Sequence, residues 1–418
     1  MLKELELPLC ESGVRKGSLG SELARFDQFG SRSFVTETKS SDGRTTVPAY
    51  VNEFWTAGQR QAANLHEISY RACFKPQLPK FFIERLTAPG EVVYDPFMGR
   101  GTTLLEAALL GRVPYGNDIN PLSLLLIKPR LNTPTLSEVA ARLNEISFAR
   151  DVALREDLLV FYHPETLREI CSLRAYLLER AAENRLDAVD EWIRMVALNR
   201  LTGHSPGFFS VYTLPPNQAV SIKSQEKINR DRNQIPPRRE VAKIILKKSK
   251  SLLADCAEEL RAAGALLVNR HAAETSAIPS ESVSLVVTSP PFLDVVDYAG
   301  DNWLRCWFAG IDAATVKLTV PKKLENWQAE MTRVFCELRR VLKVGGHVAF
   351  EVGEVRAGKV KLEETVLACG VEAGLKAELV LINQQEFTKT ANCWGVANNA
   401  KGTNSNRIVV FRKTGSER

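Results

Sequence analysis

The chain has 418 residues, of which 44% are hydrophobic and 25% charged, and its formal net charge is +6; these proportions are ordinary for a folded globular protein. Its apolar runs are far shorter than the ~20 residues that cross a bilayer, and no basic segment precedes an apolar core near the first residue. We therefore expect a cytoplasmic protein without membrane contact. The eight cysteines form no Cys-x-x-Cys pair, which disfavours a metal site.

Residues 1–60 show no sustained hydrophobic period, and we predict that they form a peripheral segment. A strand–turn–helix–strand pattern then follows: Glu91–Asp95, a glycine turn, Thr102–Gly111 and Val113–Asn117. This order predicts a Rossmann-like, doubly wound α/β sheet.

The α/β alternation stops near residue 135. Residues 135–275 are mostly helical in pattern and predict an insertion into a domain formed by residues 61–134 and 276–418. Strand patterns resume at Val283–Thr288, His347–Val352, Glu378–Ile382 and Arg407–Arg412.

The positive charge is concentrated within the insertion. Between residues 221 and 250 ten lysines and arginines stand against three acidic residues. Such a cluster is often a solvated helix face, but here it follows an aromatic, Gly/Pro-rich stretch at residues 203–217, which favours contact with nucleic-acid phosphates. The predicted DNA-binding residues are Lys223, Lys227, Arg230, Arg232, Arg238, Arg239, Lys243 and Lys247.

The stretch from Asp95 to Thr103 predicts a cofactor loop at the end of the first strand. Gly99 and Gly101 allow a sharp turn and the close approach of a ligand, and free amides begin the next helix. Asp118, at the end of the following strand, can accept both hydroxyls of a ribose. The simpler alternative is a tight turn with a surface aspartate. The predicted cofactor-binding residues are Asp95, Phe97, Gly99, Gly101, Thr102, Thr103, Asp118, Ile119 and Asn120.

A second loop follows the strand Val283–Thr288. Ser289 and a carbonyl held rigid by Pro290 and Pro291 can accept both hydrogens of an aryl amine, which makes the nitrogen lone pair available to an electrophile. Phe292 can stack on the base. These four residues are the predicted catalytic set, whereas the roles of Asp294 and Asp297 stay open.

With these two loops the chain resembles the DNA amino-methyltransferases that use S-adenosyl-L-methionine, in particular the cytosine-N4 branch. In that family Ser at the position of Ser289 is typical of cytosine-N4 enzymes, whereas Asp or Asn is typical of adenine-N6 enzymes. Phe292 replaces a commoner Tyr. The segment His66–Leu86 is similar to the element that closes over the methionine part of the cofactor, and Arg100 stands where small residues are common.

The resemblance implies direct methyl transfer to the N4 amine of a cytosine that is flipped out of a duplex or lies in a single strand. A cognate restriction endonuclease is a candidate partner. Adenine-N6 methylation, methylation of RNA or a protein amide, and a DNA-binding module without activity are the alternatives. The recognition sequence cannot be read from the residues.

Overall fold

The computed structural model describes residues 18–56, 62–70, 74–213, 219–256, 260–291, 298–313, 316, 321, 323–355, 360–384, 392–393, 396–397 and 405–415. The helices in this part are α1 Leu19–Ala24, α2 Gln77–Leu86, α3 Thr102–Leu109, α4 Pro121–Ile127, α5 Leu136–Glu145, α6 Pro164–Ala182, α7 Ala188–Leu198, α8 Ile222–Asp231, α9 Val241–Leu252, α10 Tyr298–Ala309, α11 Leu324–Val341 and α12 Leu362–Glu372. The strands are β1 Phe34–Lys39, β2 Thr46–Asn52, β3 Val92–Asp95, β4 Val113–Asn117, β5 Leu266–Val268, β6 Val283–Thr288, β7 Leu342–Val352, β8 Glu354–Val355, β9 Val360–Lys361, β10 Lys376–Gln384, β11 Asn392–Cys393, β12 Val396–Ala397 and β13 Ser405–Arg412.

One large sheet organises the molecule, with the strand order β1-β2-β10-β13-β7-β6-β3-β4-β5. Strands β5, β4, β3, β6 and β7 are parallel to one another. Strand β13 is antiparallel to both of its neighbours, β7 and β10. Apolar side chains from both faces of the sheet pack into two separate clusters, one with α11 and α12 and the other with α2. The predicted doubly wound α/β fold is confirmed.

The strand order reverses between β3 and β6. From β3 the chain passes through α3 to β4, which lies on one side of β3. After the insertion the chain returns to β6, which lies on the other side of β3. Open α/β sheets bind ligands outside the carboxyl ends of the strands at such a reversal. Asp95 ends β3 and Thr288 ends β6, so both predicted loops begin at this place.

All six residues of β6 are buried, since helices cover both faces of the sheet. Val286 belongs to the cluster that contains Trp327 and Phe350, whereas Val287 belongs to the opposite cluster with Phe82. The strand is therefore a rigid support for the loop that follows it.

The N-terminal segment contributes more to the fold than the prediction of a peripheral role implies. Strand β2 pairs in parallel with β10, and β1 pairs antiparallel with β2 at the edge of the sheet. Nearly every side chain of β1 is exposed. An edge strand with two exposed faces has no hydrophobic alternation, which is why the sequence did not predict it.

Residues 135–265 contain α5, α6, α7, α8 and α9. Four of these helices, α5, α6, α7 and α9, pack into a cluster with the fully buried Trp192 and with side chains of α3, α4 and α10. The end of this helical part differs from the predicted boundary at residue 275. Leu266–Val268 already forms β5, which pairs with β4. A strand of three residues is too short to show a period in the sequence.

Candidate active site

Two side-chain hydrogen bonds connect the two predicted loops. The hydroxyl of Thr288 donates to Oδ1 of Asp95 at 2.6 Å, and the hydroxyl of Thr103 donates to the carbonyl oxygen of Val287 at 3.1 Å. The backbone amide of Phe97 also donates to Asp95 Oδ1, at 3.0 Å. The end of β3, the start of α3 and the end of β6 therefore form one connected unit.

The turn between β3 and α3 needs both of its glycines. Gly99 has a φ of +49° and Gly101 a φ of +78°, a region that other residues rarely adopt. A Cβ atom on Gly101 would lie 2.5 Å from side-chain atoms of Ile127. Any larger residue at 101 would push α4 away from the loop.

Asp118 closes the other side of the turn. Its Oδ2 accepts from the Gly99 amide and its Oδ1 from the Asn120 amide, both at 2.8 Å. The residue is only half-buried. A carboxylate has about four acceptor positions, so Asp118 retains acceptors for the hydroxyls of a ligand.

The unit contains two carboxyl groups, those of Asp95 and Asp118, whose pKa values are both raised. Burial raises the pKa of Asp95 to about 7, against the hydrogen bonds from Thr288 and Phe97, and the charge of Asp118 raises it further. Burial also raises the pKa of the Asp118 carboxyl, although hydrogen bonds from Asn120 and Gly99 lower it. In the described part of the chain no lysine or arginine forms an ion pair with Asp95 or Asp118. A positively charged ligand at this edge of the sheet would favour the ionised form of both carboxyl groups.

The nine predicted cofactor residues all lie at this edge of the sheet, but in two layers. The buried layer frames the loop and consists of Asp95, Gly101, Thr102, Thr103 and Asn120; the half-buried layer, open to a ligand, consists of Phe97, Gly99, Asp118 and Ile119.

Arg100 holds a second chain segment over the loop. Its guanidinium donates to the carbonyl oxygens of Ile68 at 2.9 Å, of His66 at 3.4 Å and of Phe74 at 3.5 Å. In the same segment Tyr70 accepts a hydrogen bond from Asn120 at 3.2 Å. In this structure Arg100 therefore holds the segment preceding α2 against the cofactor loop.

A buried tryptophan contacts residue 291, the last described residue after β6. The indole of Trp327 donates to the carbonyl oxygen of Pro291 at 3.1 Å. Pro290 is buried, and Ser289 and Pro291 are half-buried. Phe292, Asp294 and Asp297 lie outside the described residues.

Glu351 is a site residue that the sequence reasoning missed. It is buried at the end of β7, where the pairing of Thr288 with Phe350 places it beside Ser289, and it accepts from Asn406 Nδ2 at 3.1 Å. Burial raises the pKa of its carboxyl, whereas the side chains of Ser289 and Asn406 favour the ionised form. A glutamate inside the apolar strand His347–Val352 was the available signal, because acids are rarely buried without a role.

The basic segment is partly neutralised. Arg238 pairs with Glu165 and Glu169, and Lys243 pairs with Glu240 at 2.8 Å. Arg239 is half-buried. All three are weaker candidates for phosphate contact than the sequence predicted. Carboxylates already pair with Arg238 and Lys243, and Arg239 is less exposed than the others. The remaining predicted residues are exposed and form no ion pair within the described chain: Lys223, Lys227, Arg230, Arg232 and Lys247.

Among the described residues no group of three or more His, Cys, Asp and Glu could hold a metal ion. In the same part of the chain, no helix has the length and apolar character needed to cross a membrane.

Residues 32–128 match the family model described as DNA methylase. The chain is 35% identical over 97 residues to the Type II methyltransferase M.MvaI of Kocuria varians. The matched stretch covers 22% of this chain and 20% of that protein. The chain is also 28% identical over 172 residues to the Type II methyltransferase M.MthZI of Methanothermobacter thermautotrophicus, covering 35% of this chain and 48% of that protein. The chain thus spans less than half the length of these two relatives.

A solved structure with some likeness is a putative DNA modification methylase from Thermus thermophilus in complex with S-adenosyl-L-methionine. It is 24% identical, with 35% of this chain and 55% of that chain covered, at a TM-score of 0.23. The matched family segment runs from β1 to the end of α4 and contains the whole cofactor loop and Asp118. Over residues 32–128, which hold the cofactor loop, the chain is therefore similar to the DNA methylase family.

Proposed function

We propose that this protein transfers a methyl group from S-adenosyl-L-methionine to the exocyclic N4 amine of cytosine in DNA. The observation that carries the proposal is the hydrogen bond between Thr288 and Asp95. It holds a loop suited to the cofactor beside a loop suited to an aryl amine, at the sheet edge where such folds bind ligands.

S-adenosyl-L-methionine is the cofactor of the DNA amino-methyltransferases that this chain resembles. Its positively charged groups suit a site that contains two carboxyl groups. The sulfonium and ammonium groups are cations, and Asp95 and Asp118 are carboxylates without a basic partner in the described chain. Asp118 would hold the ribose hydroxyls, and the half-buried Phe97, Gly99 and Ile119 would line the binding surface. When bound, the cofactor supplies an electrophilic methyl group.

Glu351 directs the hydroxyl of Ser289. A serine hydroxyl has one hydrogen and two acceptor positions. If that hydrogen is donated to Glu351, the oxygen is left to accept a hydrogen from the target amine. The Pro291 carbonyl is already engaged by Trp327, which favours the Pro290 carbonyl as the second acceptor.

These two acceptors draw the amine towards a tetrahedral geometry and expose its lone pair. As the new carbon–nitrogen bond forms, the nitrogen becomes positive and must lose a proton. Glu351, whose pKa is raised by burial, is a suitable acceptor for that proton through Ser289.

The helical insertion would bind the DNA. Lys223, Lys227, Arg230, Arg232 and Lys247 are exposed cations on or beside α8 and α9, and exposed cations gain affinity from phosphate by releasing counterions. The resemblance to DNA amino-methyltransferases also suggests a cognate restriction endonuclease as a partner activity.

The test is nucleoside mass spectrometry of DNA from a host that expresses the protein, compared with the same host expressing the Ser289→Ala variant. We expect N4-methylcytosine only with the parent protein. Methylome sequencing of the same DNA would give the recognition sequence. If N6-methyladenine is found instead of N4-methylcytosine, the proposed target base is wrong. If the DNA contains no methylated base, DNA is not the substrate.

A further inference from the structure

Residues 64–70 form a short stretch between the cofactor loop and the insertion, which we call the bridging segment. At its end the hydroxyl of Tyr70 accepts a hydrogen bond from Asn120 Nδ2 at 3.2 Å, and the Tyr70 ring lies 3.5 Å from the place that a Cβ atom on Gly99 would occupy. Gly99 belongs to the half-buried layer that is open to a ligand. A displacement of the bridging segment would therefore change the surface that faces the cofactor.

Buried polar contacts attach the bridging segment to the helices around the cofactor loop. Nε2 of His66 hydrogen-bonds with Oε1 of Glu106 on α3 at 2.7 Å, and each of these residues is 5% exposed. The guanidinium of the fully buried Arg130 donates to the carbonyl oxygen of Leu65 at 3.1 Å. Breaking either contact would leave a buried polar group without a partner, so the segment and these helices are expected to move together.

The other side of the bridging segment is attached to the insertion through α9. Nζ of Lys248, on α9, pairs with Oε2 of Glu67 at 2.7 Å. The backbone amide of Asn64 donates to Oδ2 of Asp255, three residues after the end of α9, at 2.8 Å. The two contacts join residues that are 181 and 191 positions apart, so they exist only in the folded chain.

The ion pair of Lys248 differs from an ordinary pair on the protein surface. The Lys248 side chain is 13% exposed, whereas that of Lys243, which pairs with Glu240 three residues away, is 77% exposed. Exposed pairs contribute little because water solvates both charges, but a lysine withdrawn from water depends on its carboxylate. Loss of this pair should therefore displace the bridging segment relative to α9.

We propose that Lys248 is a positioning residue for S-adenosyl-L-methionine. Through Glu67 it holds the bridging segment against the glycine turn, so that a helix of the insertion sets the affinity for the cofactor. The inference rests on the proposed function and adds to it a link between the insertion and the cofactor loop. Because α9 also carries Lys247, one of the exposed cations proposed to contact DNA, bound DNA and bound cofactor should strengthen each other's binding by the same factor.

The first experiment measures the affinity of the full chain for S-adenosyl-L-methionine by calorimetric titration without DNA. Lys248→Gln should weaken binding about fivefold, the effect of losing one partly buried ion pair. Lys248→Arg keeps the charge and should stay within about twofold of the parent. The matched control is Lys250→Gln, which removes the same charge from the same helix at an exposed lysine without an ion pair in the described chain, and should leave the affinity unchanged.

Exchange of the two charges tests whether the ion pair itself is responsible. Glu67→Lys and Lys248→Glu should each weaken cofactor binding about tenfold, because two like charges then face each other. The double variant restores an opposite pair and should bind within about threefold of the parent, a recovery that a general loss of stability would not show. In every variant kcat at saturating cofactor should stay within about twofold of the parent, as expected for a residue that acts on cofactor binding alone.

A further measurement addresses the link with DNA. The probe is S-adenosyl-L-homocysteine, which has no methyl group to transfer, so the complex with DNA does not react. In the parent a saturating duplex with the sequence found by methylome sequencing should tighten binding of this probe about threefold. The gain should disappear in Lys248→Gln and remain in Lys250→Gln.

The outcomes separate this inference from the proposed function. If the parent methylates cytosine but Lys248→Gln binds the cofactor as the parent does, or if the charge exchange restores nothing, Lys248 does not position the cofactor and the proposed function stands. If Lys248→Gln weakens DNA binding alone, Lys248 is a phosphate contact and the inference is overturned. If the parent binds the cofactor but transfers no methyl group to DNA, the proposed function fails, while the effect of Lys248 on cofactor affinity still decides the inference.

Discussion

The hydroxyl of Thr288 donates a 2.6 Å hydrogen bond to Asp95, across the junction between β6 and β3. Thr288 is fully buried and Asp95 is 1% exposed, so water cannot replace this bond. Loss of a buried hydrogen-bond donor costs an ionised carboxylate more free energy than it costs a neutral carboxyl group. The pair therefore links the geometry of the site to the protonation state of Asp95.

Thr288→Val should raise the pKa of Asp95 above its value of about 7, since the hydroxyl favours the ionised form. We expect a loss of about 1–3 kcal/mol in the free energy of unfolding at pH 8, and a smaller loss at pH 5.5, where Asp95 is mostly protonated in both proteins. Urea unfolding at the two pH values measures this. Thr288→Ser keeps the hydroxyl and is the control. Equal losses at both pH values would contradict the coupling.

Binding of S-adenosyl-L-methionine should depend on pH through Asp95. A cationic ligand favours the ionised carboxylate, and with a pKa of about 7 the ionised fraction rises roughly eightfold between pH 6 and 7.5. We expect the affinity to rise by about that factor, measured by calorimetric titration. Asp95→Asn should bind more weakly and show little change over this range.

The raised pKa of Asp95 also predicts how the free energy of unfolding changes with pH in the absence of ligand. The pKa of Asp95 in the folded protein lies above its ordinary value of 3.8, so folding favours the protonated form. Its contribution to stability is complete below about pH 4 and is lost as the pH rises through about 7. The stability of Asp95→Asn should accordingly fall less than that of the parent between pH 4 and 8. A parallel fall in both proteins would contradict the raised pKa.

Asp118→Ala should weaken S-adenosyl-L-methionine binding by about 10- to 100-fold, which is typical for the loss of a charged hydrogen-bond acceptor. Part of this loss would come from the Gly99 and Asn120 amides, which lose their acceptor as well. Asp118→Asn keeps one acceptor oxygen and should have an intermediate effect. Calorimetry gives both values, and an unchanged dissociation constant in Asp118→Ala would remove this residue from the site.

Ser289→Ala should lower kcat by about 100-fold and leave the affinity for the cofactor within about twofold, because the hydroxyl acts on charge that develops during transfer. Glu351→Gln should also lower kcat, by at least about tenfold, if it orients that hydroxyl and accepts the proton. Single-turnover methylation with saturating cofactor measures both. If Glu351→Gln has full activity while Ser289→Ala is impaired, Glu351 has only a structural role.

The exposed and the paired cations of the basic segment should behave differently. Replacing Lys223, Lys227 and Lys247 with Gln should reduce the salt slope of DNA binding by up to about 2.7 if all three contact phosphate. Lys243 already has a carboxylate partner, so Lys243→Gln should have a much smaller effect per charge. The preferred sequence should not change, because phosphate contacts position a protein and base contacts specify the sequence. An unchanged slope in the triple variant would mean that DNA binds elsewhere.

Much of the fold could be predicted because its signals are local. The glycine turn after Asp95, the apolar run Val283–Thr288 and the periodic helices of the insertion depend on residues that are neighbours in the chain. Strand β1 and the three-residue strand β5 could not be predicted in this way. One is exposed on both faces and the other is too short, so only pairing with distant strands stabilises them as strands.

The sequence by itself determined the fold class and the two loops, since each loop combines special backbone residues with a preceding buried strand. Only the tertiary structure decided how the loops meet, because Thr288 and Asp95 are 193 positions apart and their bond depends on strand order. The tertiary structure also decided which charged side chains are buried and which are paired. Glu351 lies buried beside Ser289, and Arg238 and Lys243 are paired with carboxylates, since burial and ion pairing depend on how the chain folds.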